Sequence, residues 1–247
     1  DVKTPALPLD RPRPARRSYR GGAVRARLPM AALQGLKELA RGKNATLFVA
    51  LCAGLDALLH RYTGAEDIVV GTAVAGREHA DLHELVGVHV NLLPLRTRLE
   101  PQAGFAKLLA RTREVVVGAL EHAEYPFDRL VDELGLPREL GRPPLFDVLL
   151  VLQNQEAPQL RLSGVRFLPE PQAVRTSIYD LSFEFIEDEG GLLCDLHYSA
   201  DVFGQARAEI ILGHFFGRIV AEVDLGVAAF VAAQTRHFRV CTRQIGI

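Results

Sequence analysis

The chain has 247 residues, 48% of them apolar, which fits one large domain or two small ones with a substantial core. Its formal net charge of −1 gives no reason to expect nucleic acid or an anionic membrane as partner. No apolar run approaches the roughly 20 residues of a membrane helix, and no secretory signal is read.

Cys52, Cys194 and Cys241 are odd in number and far apart, which points to buried, reduced thiols in a cytoplasmic setting and not to a disulfide framework. The chain starts at Asp1 and its only methionine is Met30, so we expect a piece of a longer polypeptide.

Residues 1–22 hold four prolines within the first fourteen positions, and arginines are dense from Arg11 to Arg27. Proline fixes φ and removes a donor, so an extended connector is expected, read as a linker in preference to a disordered tail. A short strand is expected at Ala23–Leu28. Met30, Leu33, Leu36 and Ala40 then recur at helical spacing, with Gly42 at the helix end. Thr46 caps a second helix that is apolar on most faces and stops at Gly64. Ile68–Val74 is apolar on both faces and reads as a central strand covered on both sides.

Residues 75–84 are polar and irregular. His79 and His83 stand four apart, a metal-ligand spacing on a helix, but no third ligand is evident and a solvated loop is the preferred reading. From Val86 to Leu99 the residues alternate, which predicts a strand with one wall toward something polar. Phe105, Leu108, Leu109, Thr112, Val115, Val116, Ala119 and Leu120 form the clearest helical stripe. Pro126 opens another helix with Phe127, Leu130, Val131 and Leu134 inward, ending at Gly135. Leu145–Gln153 reads as a second central strand. A Pro-interrupted excursion covers residues 159–176. A hairpin follows, with one strand from Tyr179 to Phe185 and the other from Leu192 to Tyr198. Ile211, Phe215 and Ile219 mark a closing helix. Residues 225–247 follow no pattern we can explain.

No phosphate loop, G-x-S-x-G elbow, paired C-x-x-C or G-x-G-x-x-G is present. Three ordered segments stand out instead. They are Val86-Gly87-Val88-His89-Val90-Asn91-Leu92-Leu93-Pro94-Leu95-Arg96, then His122-Ala123-Glu124-Tyr125-Pro126-Phe127-Asp128, then Arg138-Glu139-Leu140-Gly141-Arg142-Pro143-Pro144-Leu145-Phe146-Asp147. They resemble the I-G-x-F-V-N-T-x-x-L-R, H-x-x-Y-P-F-E and R-D-x-S-R-x-P-L-F-Q segments of the condensation domains of nonribosomal peptide synthetases. Asp10-Arg11-Pro12-Arg13-Pro14 with Ser18-Tyr19-Arg20-Gly21 looks like that family's connector between lobes.

The resemblance implies an α/β fold, an α+β sandwich of the chloramphenicol acetyltransferase-like kind with a mixed central sheet flanked by helices. It implies residues 1–22 as inter-lobe linker, 23–224 as the C-terminal lobe of two, and 225–247 as an unassigned tail. In the family two carrier-bound substrates enter a tunnel from opposite ends and an amine attacks a thioester to form an amide. The His-His-x-x-x-Asp-Gly motif belongs to the other lobe and does not occur here. This lobe is therefore expected to supply tunnel wall, positioning and carrier docking, without chemistry of its own.

By motif match Asn91 lines the tunnel and bonds substrate; its alternative is a strand-end Asn satisfying backbone. His89 stands where the family has an aromatic and Leu92 where it has Thr, both altering tunnel shape. Arg77 pairs with the Asp of the missing motif, or is a solvated loop arginine. His122, Tyr125, Pro126, Phe127, Arg138, Arg142 and Phe146 are expected to be structural. No metal and no directly bound cofactor is implied; substrates ride on the phosphopantetheine of carrier proteins. The implied partners are an N-terminal lobe and peptidyl carrier domains.

Residues 166–178 match the family's crossover to the other lobe, which predicts self-association of the isolated chain or mobility of that stretch. Two further readings stay open: a docking module without chemistry, and half of an acyl-CoA-dependent acyltransferase of the same fold.

Overall fold

A computed structural model describes residues 6–77, 80–82, 85–100, 102–136, 139–153 and 174–223. The elements are β1 (Gly21–Pro29), α1 (Met30–Arg41), α2 (Leu47–Thr63), β2 (Asp67–Val74), β3 (Asn91–Arg98), α3 (Gly104–Glu121), α4 (Phe127–Glu133), β4 (Val148–Gln153), β5 (Leu181–Asp188), β6 (Gly191–Ser199) and α5 (Gln205–Val223), with a 3-10 turn at Ala80–Leu82.

The strands form a six-stranded sheet in the order β1-β6-β5-β4-β2-β3. β1 and β5 pair antiparallel with β6, and β3 pairs antiparallel with β2. β4 runs parallel to both β2 and β5. Alternate residues of every strand point to one face, where Val70, Leu95, Leu150, Phe183 and Leu196 join the buried stripes of α1, α2, α3 and α5. The other face is covered more sparingly, by Leu145, Phe146 and residues of α4 over Val69 and Leu149. Among the described residues the architecture is thus a mixed-sheet sandwich with four helices on one side. Edge strand β3 carries Pro94, a residue tolerated at an edge because that position lacks a donor.

Local chemistry explains the helix ends. The Thr46 hydroxyl accepts from the Val49 amide at the start of α2, and Gly64 closes it in the left-handed conformation. Gly42 follows α1 as expected but is right-handed; the positive φ falls on Asn44.

Three strand expectations are corrected, the one predicted from Leu145 because β4 begins only at Val148. The strand predicted from Val86 begins only at Asn91, because its partner β2 ends at Val74, opposite Asn91. Residues 85–90 therefore have no ladder to join, and Val86, Val88 and Val90 are exposed. Tyr179 likewise precedes β5, which starts at Leu181. The hairpin of β5 and β6 forms with its turn at residues 188–191. His79, His83, Arg138, Cys241, the bulk of the 159–176 excursion and the 225–247 tail lie outside the described residues.

The described residues of the expected connector carry no helix or strand before Arg20, yet they are bound to the fold. Leu7 and Leu9 pack on the core. Asp10 accepts from the Gly204 amide at 2.9 Å and from Arg207 Nε at 2.8 Å, at the start of α5. Ser18 donates twice to Asp201, and Arg17 donates to the Ile178 carbonyl.

Among the described residues, one carboxylate is buried without a cation. Asp56, in the otherwise apolar α2, is 2% exposed and accepts from Thr112 of α3. Burial drives its carboxyl up to about 7, against the opposing hydroxyls of Thr97 and Thr112. A value raised in the folded state means stability present in acid and lost as pH rises through the folded value. Asp56 should therefore lower stability between about pH 4 and 7 by something on the order of a few kcal/mol. Urea unfolding across that range should show the decline in the wild type and a flatter profile in Asp56→Asn.

Candidate functional site

The three motif segments form one contiguous structure at the β2–β3 end of the sheet. The loop of residues 75–90 leaves β2 and returns to β3. Its base is narrow: Gly76 has φ +61°, and a Cβ there would sit 2.1 Å from the His89 carbonyl oxygen. Only glycine allows that approach. Arg77 then turns its guanidinium into the loop. Nη1 donates to the carbonyls of Leu82 (2.5 Å) and Leu85 (2.7 Å), and Nη2 donates to that of Gly87 (2.8 Å). Three Arg77 hydrogen bonds thus go to carbonyls, and the residue organises its own loop. His89 is half-buried on the returning arm.

Asn91 stands where that arm becomes β3. Its Nδ2 donates to the carbonyls of Ala123 and Tyr125, both at 2.8 Å, and its Oδ1 accepts from the Phe127 amide at 3.1 Å. Both amide donors are spent on backbone within this chain. The bonds fix the turn between α3 and α4 and satisfy one of the orphan amides that open α4. His122 caps the C-terminus of α3 with its residue exposed, and Pro126 is the N-cap of α4. The Tyr125 hydroxyl donates to Glu133 on the outer side of α4.

Phe127 faces inward against Phe146, with ring centroids 5.5 Å apart, and Phe146 stacks on Tyr179 at the same distance. Phe146 is fully buried, and its ring fills the space over Gly71 of β2, where a Cβ would come within 2.0 Å. Leu145 takes φ +69° just before it, a conformation uncommon for a side chain with a Cβ. The buried Leu145 and the seated Phe146 hold it there.

Next to this aromatic stack lies a buried charge cluster. Arg142 donates Nε to both oxygens of Asp147, at 2.8 and 2.9 Å, and Nη2 to Oδ2. Arg13 of the connector makes a bidentate pair with Asp180, with one bond of 2.9 Å, and also reaches the Gly141 carbonyl. The two aspartate side chains are each 3% exposed. Burial lifts the Asp180 carboxyl above its ordinary value against the pull of Arg13, and Asp147 adds to the rise. Sequence reasoning placed Arg142 but passed over Arg13, Asp147 and Asp180 as a unit. An arginine within a proline-rich stretch carries no signal of which carboxylate it meets.

A six-stranded mixed sheet with this helix arrangement is the α/β fold of the chloramphenicol acetyltransferase-like class. Residues 2–223 match the condensation domain family. The chain belongs to that family. It is 39% identical over 209 residues to a plipastatin synthase polypeptide of Bacillus subtilis (strain 168), covering 85% of this chain and 8% of that protein. It is 38% identical over 208 residues to bacitracin synthase 3 of Bacillus licheniformis, covering 84% and 3%. Among solved structures, the X-domain from teicoplanin biosynthesis aligns with TM-score 0.84 and 31% identity over 90% of this chain and 51% of that one. The condensation domain of the monacolin K polyketide synthase shares the fold, with TM-score 0.76 and 24% identity over 90% and 53%. The chain thus spans less than a tenth of those curated relatives and about half of those solved structures.

The geometry separates two kinds of residue. Asn91→Ala removes three hydrogen bonds and should cost about 2–3 kcal/mol; amide exchange should show lost protection at Phe127. Arg13→Ala leaves the buried Asp180 carboxylate without its cation and should cost about 3–5 kcal/mol in urea unfolding. Arg25→Ala, which breaks an exposed pair with Asp195, should cost under about 1 kcal/mol in the same assay.

Proposed function

We propose that this chain is the C-terminal lobe of a nonribosomal peptide synthetase condensation domain, the half that shapes and positions without supplying the base. With a companion N-terminal lobe bearing His-His-x-x-x-Asp-Gly, it takes part in forming an amide between a thioester donor and an amine acceptor. Both substrates arrive on the phosphopantetheine of carrier proteins, in the cytoplasm. One observation carries this reading: the donors of Arg77 and Asn91 go to backbone carbonyls, so the motif residues build a rigid wall. Aminolysis needs the amine positioned, its proton accepted and the oxyanion stabilised. In this reading the wall does the first, and the companion lobe's histidine does the second. Residues 1–22 act as the inter-lobe linker, and residues 166–178 cross to the companion lobe. An isolated chain then self-associates through the strand edge left uncovered.

A second reading is docking without chemistry. It is favoured by one likeness, to the X-domain from teicoplanin biosynthesis solved in complex with OxyB, 30% identical with TM-score 0.82.

The deciding experiment is amide formation from carrier-loaded donor and acceptor. This chain alone should give no product above the uncatalysed rate. The chain joined to an N-terminal lobe bearing His-His-x-x-x-Asp-Gly should give product, reduced at least about tenfold by Asn91→Ala through lost positioning. Product from the isolated chain would sink the proposal. A joined domain that binds carriers but makes no amide would favour docking.

A further inference from the structure

Behind the motif surface, on the helix-covered face of the sheet, lies a pocket with a volume of about 210 Å³. It sits near the carboxyl ends of β2 and β4, which run parallel, at Val74 and Leu152. In open α/β sheets ligands bind outside the carboxyl ends of the strands. Leu93, Leu95 and Val116 form a buried floor. Val74, Leu152 and Leu120 lie at the opening; the first two are half-buried and Leu120 is 46% exposed. Among the described residues no charged side chain lines the pocket, and the one polar side chain is that of Thr72.

Protein interiors leave few gaps larger than a water molecule, which sets this pocket apart from ordinary packing. An apolar cavity of about 150 Å³ already takes a benzene ring. The larger volume here therefore suits a group of leucine or phenylalanine size. The lining offers nothing to a charged head, whose burial would be costly. The ligand that fits is an apolar side group whose polar remainder stays outside. Two features tie the pocket to the motif surface. Across β2 and β3, Val74 pairs with Asn91 and Thr72 with Leu93. The Asn91 side chain donates to the carbonyls of Ala123 and Tyr125, in the turn that follows Leu120. The residue that fixes the motif turn thus also anchors one wall of the pocket. Pocket and motif surface share the end of β2, the start of β3 and the end of α3.

We propose that this pocket receives the apolar side chain of an aminoacyl thioester, and that Val74 and Leu120 at its opening set the size accepted. The identity of the ligand rests on the amide-forming reading above; the preference for an apolar group rests on the pocket itself.

Titration calorimetry of the whole chain tests it with two probes, the leucyl and glycyl thioesters of N-acetylcysteamine, which differ only in the isobutyl group. The leucyl probe should bind saturably at one site, about tenfold or more tighter than the glycyl probe, through burial of that group. Leu120→Trp fills the opening and should abolish the difference. Val117→Trp is the control: Val117 stands on the same helix, is 45% exposed and does not line the pocket, so the difference should persist. Should Leu120→Trp lose its far-ultraviolet dichroism, Val74→Phe takes its place with the same expected loss. Leu120→Ala should widen the opening and move the preference toward the cyclohexylalanyl thioester, a shift that altered stability alone would not produce. In the joined domain Leu120→Trp should slow amide formation from a leucyl substrate at least about tenfold and spare a glycyl one. Placing the leucyl group on the donor or on the acceptor carrier shows which substrate supplies the side chain. The proposal is overturned by no saturable binding, by equal affinity for the two probes, or by an equal loss in Val117→Trp. A joined domain that makes no amide, with the leucyl preference and its loss in Leu120→Trp intact, would overturn the amide-forming reading and support the pocket.

Discussion

The structure depends on the burial of two aspartates, Asp147 and Asp180, beneath two arginines that come from different parts of the chain. Neither carboxylate can stay ionised in the interior without a cation, and neither arginine belongs to the sheet. Satisfying the charges therefore forces the N-terminal stretch at Arg13 and the turn at Arg142 to converge where β4 and β5 begin. The Asp180 and Leu181 amides also donate to the Asp147 carbonyl, so the two parallel strands start in register at the cluster. A proline-rich stretch with no element of its own becomes part of the fold by this means.

From that point order spreads toward the motif surface through packing. Arg142 fixes the turn that delivers Phe146 over Gly71, Phe146 carries Phe127, and Phe127 begins the helix whose first amide meets Asn91. The chain of contacts ends at the loop gathered by Arg77. Residues that a condensation domain would be expected to turn toward substrate are instead engaged in holding backbone. A surface built this way is preorganised, which is what positioning requires. Beyond it, the valines at 86, 88 and 90 stand exposed. An apolar finger of this kind is costly in water and suits a neighbour that covers it.

The opposite side of the molecule follows different physics. There the cations of β3 and α3, Arg98, Lys107 and Arg111, stand in surface pairs beside an apolar floor. Asp56 lies one turn before His60 at that end of α2, but its charge is internal, facing Thr112. One face of the molecule is thus organised by buried, paired charge and the other by exposed, loosely paired charge.

Much of this was legible in the residues. Periodicity located the helices and strands, because a side chain's face depends on a local repeat of 3.6 or 2. The ordered motifs pointed to the family for the same reason: they are contiguous stretches. Asp56 left a signal that sequence reasoning passed over, a lone carboxylate inside an apolar helix. The strand predicted from Val86 failed because alternation continues past Val74, where pairing stops, and pairing is not a local property. Local repeats, apolar faces and the order of the motifs could all be read along the chain. Three meetings could not: Asn91 with a turn more than thirty residues away, Arg77 with the carbonyls of its own loop, and Arg13 with Asp180. A hydrogen bond or buried ion pair is specified by register and helix placement, and those follow from packing the whole sheet.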